Sequence, residues 1–117
     1  MKTYYKTSKG KVVELEQQKI LNLWSENIIE LIIPDGCETV WCYNNQLKEL
    51  IIPDGCKVVY CWKNQLKELI IHEGCEYVRC HNNQLKELFI PDGCKEIRAD
   101  MKSVTVLNKV DELRLYI

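Results

Sequence analysis

The cysteines stand out first among residues that could do chemistry, because there are seven of them and most recur at a fixed spacing. Three successive segments each carry two cysteines separated by four residues, and one more follows: Cys37 and Cys42, Cys56 and Cys61, Cys75 and Cys80, and Cys94. Repeated thiols could bind a metal ion or form disulfides. The spacing differs from that of common zinc sites, and an odd number of cysteines cannot all pair within one chain. We therefore favour cysteine as a small buried hydrophobic residue, and we expect no metal and no cofactor.

The other polar residues do not form a catalytic arrangement in the sequence. The two histidines, His72 and His81, occupy unequal places, and there is no nucleophile elbow, phosphate-binding loop or dinucleotide fingerprint. An asparagine recurs at Asn45, Asn64 and Asn83. We expect these asparagines to bond the backbone where the chain turns, and to bond the asparagine of the next turn. The sequence therefore predicts a protein that is not an enzyme and has no catalytic residues.

These spacings come from an internal repeat of 19 residues. The repeat reads LKELIIPDGCKVVYCWKNQ from Leu47, LKELIIHEGCEYVRCHNNQ from Leu66 and LKELFIPDGCKEIRADMKS from Leu85. A related copy, IIELIIPDGCETVWCYNNQ, begins at Ile28. Self-similarity at a fixed period of this kind indicates a solenoid, in which each unit stacks on its neighbours.

The repeat resembles that of a known family. Its C-x-x-V-x-C-x-x-N-x-L segment resembles the core segment of leucine-rich repeats, with cysteine in two of the leucine places. Its L-x-x-L-x-I-P-x-G segment resembles the convex part of short bacterial repeats of the surface-antigen (BspA-like) type. The resemblance covers residues 18–107 and implies a solenoid of about four to five short turns with parallel strands. Because 19 residues are few for this family, we expect no regular convex helix.

The chain as a whole is predicted to be one mainly β domain over residues 1–117. An N-terminal cap at 1–17, repeats at 18–107 and a C-terminal cap at 108–117 make up the predicted domain, with β-hairpin-like caps at both ends. In each turn we predict one strand near 58–61 and a second near 69–71, followed by a Pro-Asp-Gly corner. The alternation near the C-terminus suits either a closing strand or a hairpin.

Strand alternation divides each repeat into constant and variable positions. Val59 and Cys61 are predicted to point inward, and Tyr60 and Trp62 to point outward. The outward positions vary between units and hold all three tryptophans. Trp, Tyr and Arg are also the residues enriched in binding hot spots. The predicted partner-binding residues are Trp24, Trp41, Tyr43, Tyr60, Trp62, Tyr77, Arg79, His81 and Arg98.

This face predicts a module for protein–protein interaction. A small solenoid with little else would suit a bacterial effector or a phage-encoded inhibitor of a host defence protein. One alternative is the binding of single-stranded nucleic acid by stacking, which the net charge of −1 disfavours. The other alternative is self-association through an apolar strip, namely Ile32, Ile51, Ile70 and Phe89. These residues should point outward between the inward Leu and Ile, but a bent corner could equally bury them.

The location of the protein is predicted from what the chain lacks. The first residues carry no apolar stretch of signal-peptide length, and no run is long enough for a membrane span. We therefore expect a cytoplasmic protein with reduced thiols and no membrane partner.

Overall fold

The computed structural model describes residues 2–100 and 103–107 and the backbone of residues 114–116. No helix occurs among these residues, and their regular structure consists of short strands. The strands are β1 (Tyr4–Thr7), β2 (Val12–Glu14), β3 (Ile20–Asn22), β4 (Ile28–Ile32), β5 (Thr39–Trp41), β6 (Val58–Tyr60), β7 (Tyr77–Arg79), β8 (Glu87–Leu88), β9 (Glu96–Arg98), β10 (Thr105–Val106) and β11 (Arg114–Tyr116).

A parallel sheet forms one side of the molecule, with the strand order β11-β9-β7-β6-β5-β3. From β3 to β9 each residue pairs with the residue one repeat further on, so that Val40 pairs with Val59 and Val59 with Val78. Strands of neighbouring turns are therefore adjacent in the sheet. This arrangement confirms the predicted mainly β solenoid, which has about four turns.

The constant positions of the repeat form the core. Val40, Val59, Val78 and Ile97 form one fully buried column, and all seven cysteines are buried beside it. Because each turn supplies the same residue type at the same height, the layers match in shape along the solenoid. The predicted role of cysteine as a small buried hydrophobic residue agrees with this placement.

The corners depend on glycine. The N–H of Cys56 donates to the carbonyl of Pro53 (3.4 Å), and Gly55 between them has a φ of 86°. Where His72 replaces proline, the same bond forms from Cys75 (3.2 Å), and Gly74 has a φ of 93°. Only glycine adopts such φ values without strain, so glycine determines the corner and proline does not.

The predicted second strand at 69–71 is wrong for the inner turns. Leu69 and Ile71 are buried and Ile70 is exposed, as in an extended chain, but the structure assigns no strand there. On this side the described strands are β4 and β8, which pair with β1 and β10. Inner turns meet here through isolated bonds, such as that from the N–H of Gln65 to the carbonyl of Leu47 (2.8 Å). Among the described residues on this side of the solenoid, strands therefore form only where β1 or β10, from an end of the chain, supplies a ladder partner.

The two ends of the solenoid are covered differently. At the N-terminus β1 and β2 form the predicted hairpin, and β1 also pairs antiparallel with β4. At the other end β10 pairs in parallel with β8, and β11 in parallel with β9. These strands correspond to the closing-strand alternative. Of the predicted C-terminal cap at 108–117, residues 108–113 and 117 lie outside the described residues.

Candidate functional site

The nine predicted binding residues lie on the outer side of the parallel sheet, and we call them the aromatic face. The register aligns Trp41 with Tyr60, Tyr60 with Arg79, and Arg79 with Arg98 in one column. Tyr77 lies in the flanking column, opposite Val58. The sequence pattern predicted these columns correctly, because the period of the repeat equals the offset of the strand pairing.

A second column forms because the ladder of hydrogen bonds continues beyond the strands. The N–H of Cys42 donates to the carbonyl of Tyr60 (3.0 Å), and the N–H of Asn44 donates to the carbonyl of Trp62 (2.9 Å). Residues after each strand are thus held at the ordinary strand spacing of about 4.8 Å. Side chains that leave from equivalent positions must then lie directly above one another.

Four rings of this second column form a continuous stack. The ring centroids of Trp24 and Tyr43 are 5.8 Å apart, those of Tyr43 and Trp62 are 4.6 Å apart, and those of Trp62 and His81 are 5.3 Å apart. The angles between successive ring planes are 2°, 9° and 10°. Tyr43 and Trp62 therefore have a neighbour on both faces, and their edges point outward.

Mutual stacking makes this face less exposed than the sequence suggested. Trp24 has 47% of its surface exposed and Arg98 is exposed, but the other predicted residues are half-buried. In the stack each inner ring covers the faces of its neighbours, and the guanidinium of Arg79 covers the ring of Tyr60. The face is therefore an ordered surface of ring edges.

One end of the face is basic, with Arg79 aligned with Arg98, and the charge of Arg79 is partly neutralised. The guanidinium of Arg79 lies over the ring of Tyr60, 4.6 Å from its centroid, and its Nη2 is 3.7 Å from Oε1 of Glu96. Arg98 is the exposed cation of this column. An aromatic end and a more polar, basic end are thus both present.

Unsatisfied polar atoms are concentrated on this face. In the described part of the chain, three buried side-chain nitrogens lack a hydrogen-bond partner: Nε1 of Trp41, Nε of Arg79 and Nδ1 of His81. All three belong to predicted binding residues. A buried donor or acceptor without a partner costs stability, about 1–3 kcal/mol in typical cases. The fold tolerates this cost at the aromatic face.

The environment of His81 keeps its imidazole neutral. Burial lowers its pKa below 6.5, and the neighbouring charges of Arg98 and Arg79 lower it further. The carboxylate of Asp100 opposes this change. The ring therefore stacks on Trp62 as an uncharged group near neutral pH.

The recurring asparagines hold the turns behind the face. In one turn, Oδ1 of Asn64 accepts from the N–H of Leu47 (2.9 Å), and its Nδ2 donates to the carbonyls of Cys42 (3.0 Å) and Cys61 (3.1 Å). These bonds reach the backbone of two turns, as expected. Among the described residues the asparagines bond backbone groups, and the expected asparagine–asparagine bonds are not found.

Two features next to the rings were not predicted from the sequence. The residue before each asparagine place has a left-handed backbone, with φ between 55° and 57° at Ser25, Asn44, Lys63 and Asn82. The second feature is Asp100, whose carboxylate accepts from the N–H of Asn82 (2.8 Å). A carboxylate here replaces the carbonyl that the next turn supplies elsewhere in the ladder. The asparagines at these turn positions could have indicated the left-handed backbone, because asparagine tolerates that conformation.

The thiols are unsuited to chemistry in the folded chain. All seven are free, and burial raises the pKa of Cys42, Cys56, Cys75 and Cys80 to about 12. Within the described ranges no three His, Cys, Asp or Glu residues are grouped as metal ligands would be.

The apolar strip on the opposite side is exposed at three of its four residues. Ile51, Ile70 and Phe89 are 80%, 68% and 55% exposed. Ile32 is half-buried, because its strand pairs with β1 and Tyr4 lies opposite it. The Lys-Glu pairs beside the strip, at 48–49, 67–68 and 86–87, are exposed.

Comparison of the chain with protein-family models, with curated proteins and with solved structures gave no match. Over the described residues no helix has the length and apolar character needed to cross a membrane.

Proposed function

We propose that this protein binds another protein through the aromatic face and does so without catalysis. The observation that carries the proposal is the stack of Trp24, Tyr43, Trp62 and His81, which holds four side chains in one arrangement before any partner arrives. A binding surface that is already ordered loses little conformational entropy on association. Rigid aromatic side chains beside arginine are the usual composition of a hot spot.

The unsatisfied nitrogens of this face support the proposal. Trp41, Arg79 and His81 each carry a polar atom whose bonding the isolated chain does not complete. A partner whose binding shifts the side chain of Trp41 or Arg79 could supply the missing hydrogen bonds. The same atoms have no evident purpose in a face that serves stability alone.

Ring stacking argues for a protein partner over a single-stranded nucleic acid. Bases bind by stacking on exposed ring faces, whereas both faces of Tyr43 and Trp62 are occupied by neighbouring rings. The net charge of −1 also gives little attraction to phosphates. As parts of the same proposal, the protein acts as a bacterial effector or a phage-encoded inhibitor, is located in the cytoplasm and is related to leucine-rich-repeat proteins.

The test compares two double variants as bait in a nuclease-treated lysate of the source cells. Trp24→Ala/Arg98→Ala removes exposed parts of the aromatic face, and Ile51→Ala/Ile70→Ala removes exposed side chains on the opposite side. A protein that binds the second variant as it binds the wild type, but binds the first at least tenfold more weakly, supports the proposal. Equal capture by both variants contradicts it. Thermal unfolding of each variant checks that it is folded.

A second candidate is self-association through the apolar strip. The observation in its favour is that Ile51, Ile70 and Phe89 lie exposed at successive turns. Contiguous exposed apolar residues are uncommon in monomers unless they are used. Sedimentation over a range of concentrations tests it: a concentration-dependent increase in mass that Ile70→Glu removes supports association, and a constant monomer mass contradicts it.

A further inference from the structure

The parallel sheet has an open edge at β3. The carbonyl of Lys19 accepts from the N–H groups of Glu38 (2.8 Å) and Thr39 (3.0 Å), and the N–H of Leu23 donates to the carbonyl of Trp41 (2.8 Å). Backbone groups of a strand point alternately to its two sides. Those of Ile20 and Asn22 therefore point away from β5, and no strand in the described part of the chain pairs with them. Such an edge is a template for a further strand.

The ring stack ends at the same edge. Trp24 stacks on Tyr43 with one face, and no ring among the described residues covers the other. Its side chain is 47% exposed, whereas the inner rings of the stack are half-buried. Ile20, in the flanking column, is 55% exposed. Within the part of the chain that the structure describes, the β3 edge thus has unpaired backbone groups and exposed apolar side chains next to each other.

The sheet itself shows what covers an edge of this kind. The edge of β5 is covered by β6, which supplies ladder bonds, Val58 in the flanking column and a ring from Trp62 after the strand. In the first turn, the side of the solenoid that carries β4 is already covered by the N-terminal hairpin, because β1 pairs with β4. At this end β3 lacks a ladder partner on one side among the described strands, and a single extended segment would supply one.

We propose that the β3 edge accepts an extended segment of the partner protein, which runs parallel to β3 and places an aromatic side chain over Trp24. This inference rests on the proposed function and names the form in which the partner binds. A second copy is a poorer occupant, since a two-fold pairing of the short β3 strands would cover far less than the roughly 800 Å² per partner of a stable interface. A nucleic acid lacks peptide donors and acceptors at the strand spacing.

A peptide copy of the repeat is the direct probe. The peptide has the sequence of residues 57–63 with Cys61→Ser, and its matched control also carries Trp62→Ala. Amide hydrogen exchange of the full chain is followed by NMR. At about 90% occupancy the amide protons of Ile20 and Asn22 should exchange about tenfold more slowly, because only the free form exchanges. The control peptide should bind roughly three- to tenfold more weakly, since it lacks the ring.

Two variants of the protein test the site. Asn22→Pro removes an outward N–H without touching the bonds to β5, and proline is tolerated at sheet edges. It should abolish protection of Ile20, whereas Ile51→Ala should leave that protection unchanged. Trp24→Ala, at an exposed ring, should weaken peptide binding three- to tenfold and keeps the test valid if the proline variant does not fold. Unchanged exchange at Ile20 and Asn22 with saturating peptide overturns the inference, as does unchanged protection in both edge variants.

The bait experiment separates this inference from the proposed function. A partner that binds Asn22→Pro as it binds the wild type, but is lost with Trp41→Ala/Trp62→Ala, would overturn edge binding and leave the proposed function standing. A partner lost with Asn22→Pro and retained by Ile51→Ala/Ile70→Ala would support both.

Discussion

The ring centroids of Trp62 and Tyr43 are 4.6 Å apart, and the two ring planes are 9° from parallel. The residues are one repeat apart in sequence, so their contact follows directly from the parallel register of the turns. The contact between Trp24 and Tyr43 is wider, at 5.8 Å. The stack is therefore tightest at its centre and looser at the open end.

The Tyr43–Trp62 contact should be a measurable source of stability. A double-mutant cycle with Tyr43→Leu and Trp62→Leu should give a coupling of about 0.5–1.5 kcal/mol in the free energy of unfolding, because close offset rings attract beyond their buried area. The cycle for Trp24→Leu and Tyr43→Leu should give a smaller coupling, since those rings are further apart. Urea unfolding measures both. A larger coupling for Trp24 would contradict this account of the stack.

The columns of this face could be predicted from the sequence, because one period sets both the repeat and the register. Val59 and Cys61 were assigned to the core for the same reason. The burial of Ile32 could not be predicted, since it depends on where the hairpin pairs, and β1 pairs with β4 across more than 20 residues of chain. Nor could the parallel orientation of the rings, which is set by side-chain packing between turns and leaves no mark in one unit alone.

His81 should titrate below its ordinary range. Burial is the main cause of its lowered pKa, and Arg98 adds to it, so an NMR titration of the imidazole should have its midpoint below 6.5. Arg98→Ala should raise the midpoint, and Asp100→Asn should lower it. The unfolded chain then binds the proton more tightly than the folded chain. The contribution of His81 to stability is complete above about pH 6.5 and is lost as the pH falls through the lower folded pKa.

A midpoint at or above 6.5 in the wild type would contradict this environment for His81. An Arg98→Ala variant whose midpoint does not rise would show that Arg98 does not act on the imidazole.

The cysteines should be protected from alkylation in the folded protein. Burial raises the pKa of Cys42 and Cys80 to about 12, so at pH 8 only about one thiol in ten thousand is a thiolate at these sites. Mass spectrometry after iodoacetamide treatment should show no label in native protein and seven labels in urea. Lys48→Cys, at an exposed position, should give one label in the native state. Rapid native labelling of the wild type would contradict the burial of the cysteines.

Substitution of Asn64 should lower the free energy of unfolding more than substitution of most other polar residues. It is 8% exposed and bonds Leu47, Cys42 and Cys61, so Asn64→Ala leaves buried backbone groups of two turns without partners. We expect a loss of about 2–4 kcal/mol in the free energy of unfolding. Gln65→Ala, at the exposed neighbour, should change it by less than about 0.5 kcal/mol. Similar urea midpoints for the two variants would disprove the role of Asn64.

Lys63 occupies a backbone conformation that suits another residue. Its φ is 57°, close to the values at Asn44 and Asn82 in the equivalent places. Lysine has no local bond to offset the left-handed conformation, whereas asparagine adopts it readily. Lys63→Asn should therefore raise the free energy of unfolding by about 0.5–1 kcal/mol. Lys67→Asn makes the same change at an exposed site without a positive φ and should not stabilise. If both variants shift the urea midpoint equally, the gain is an effect of charge or composition and not of the backbone.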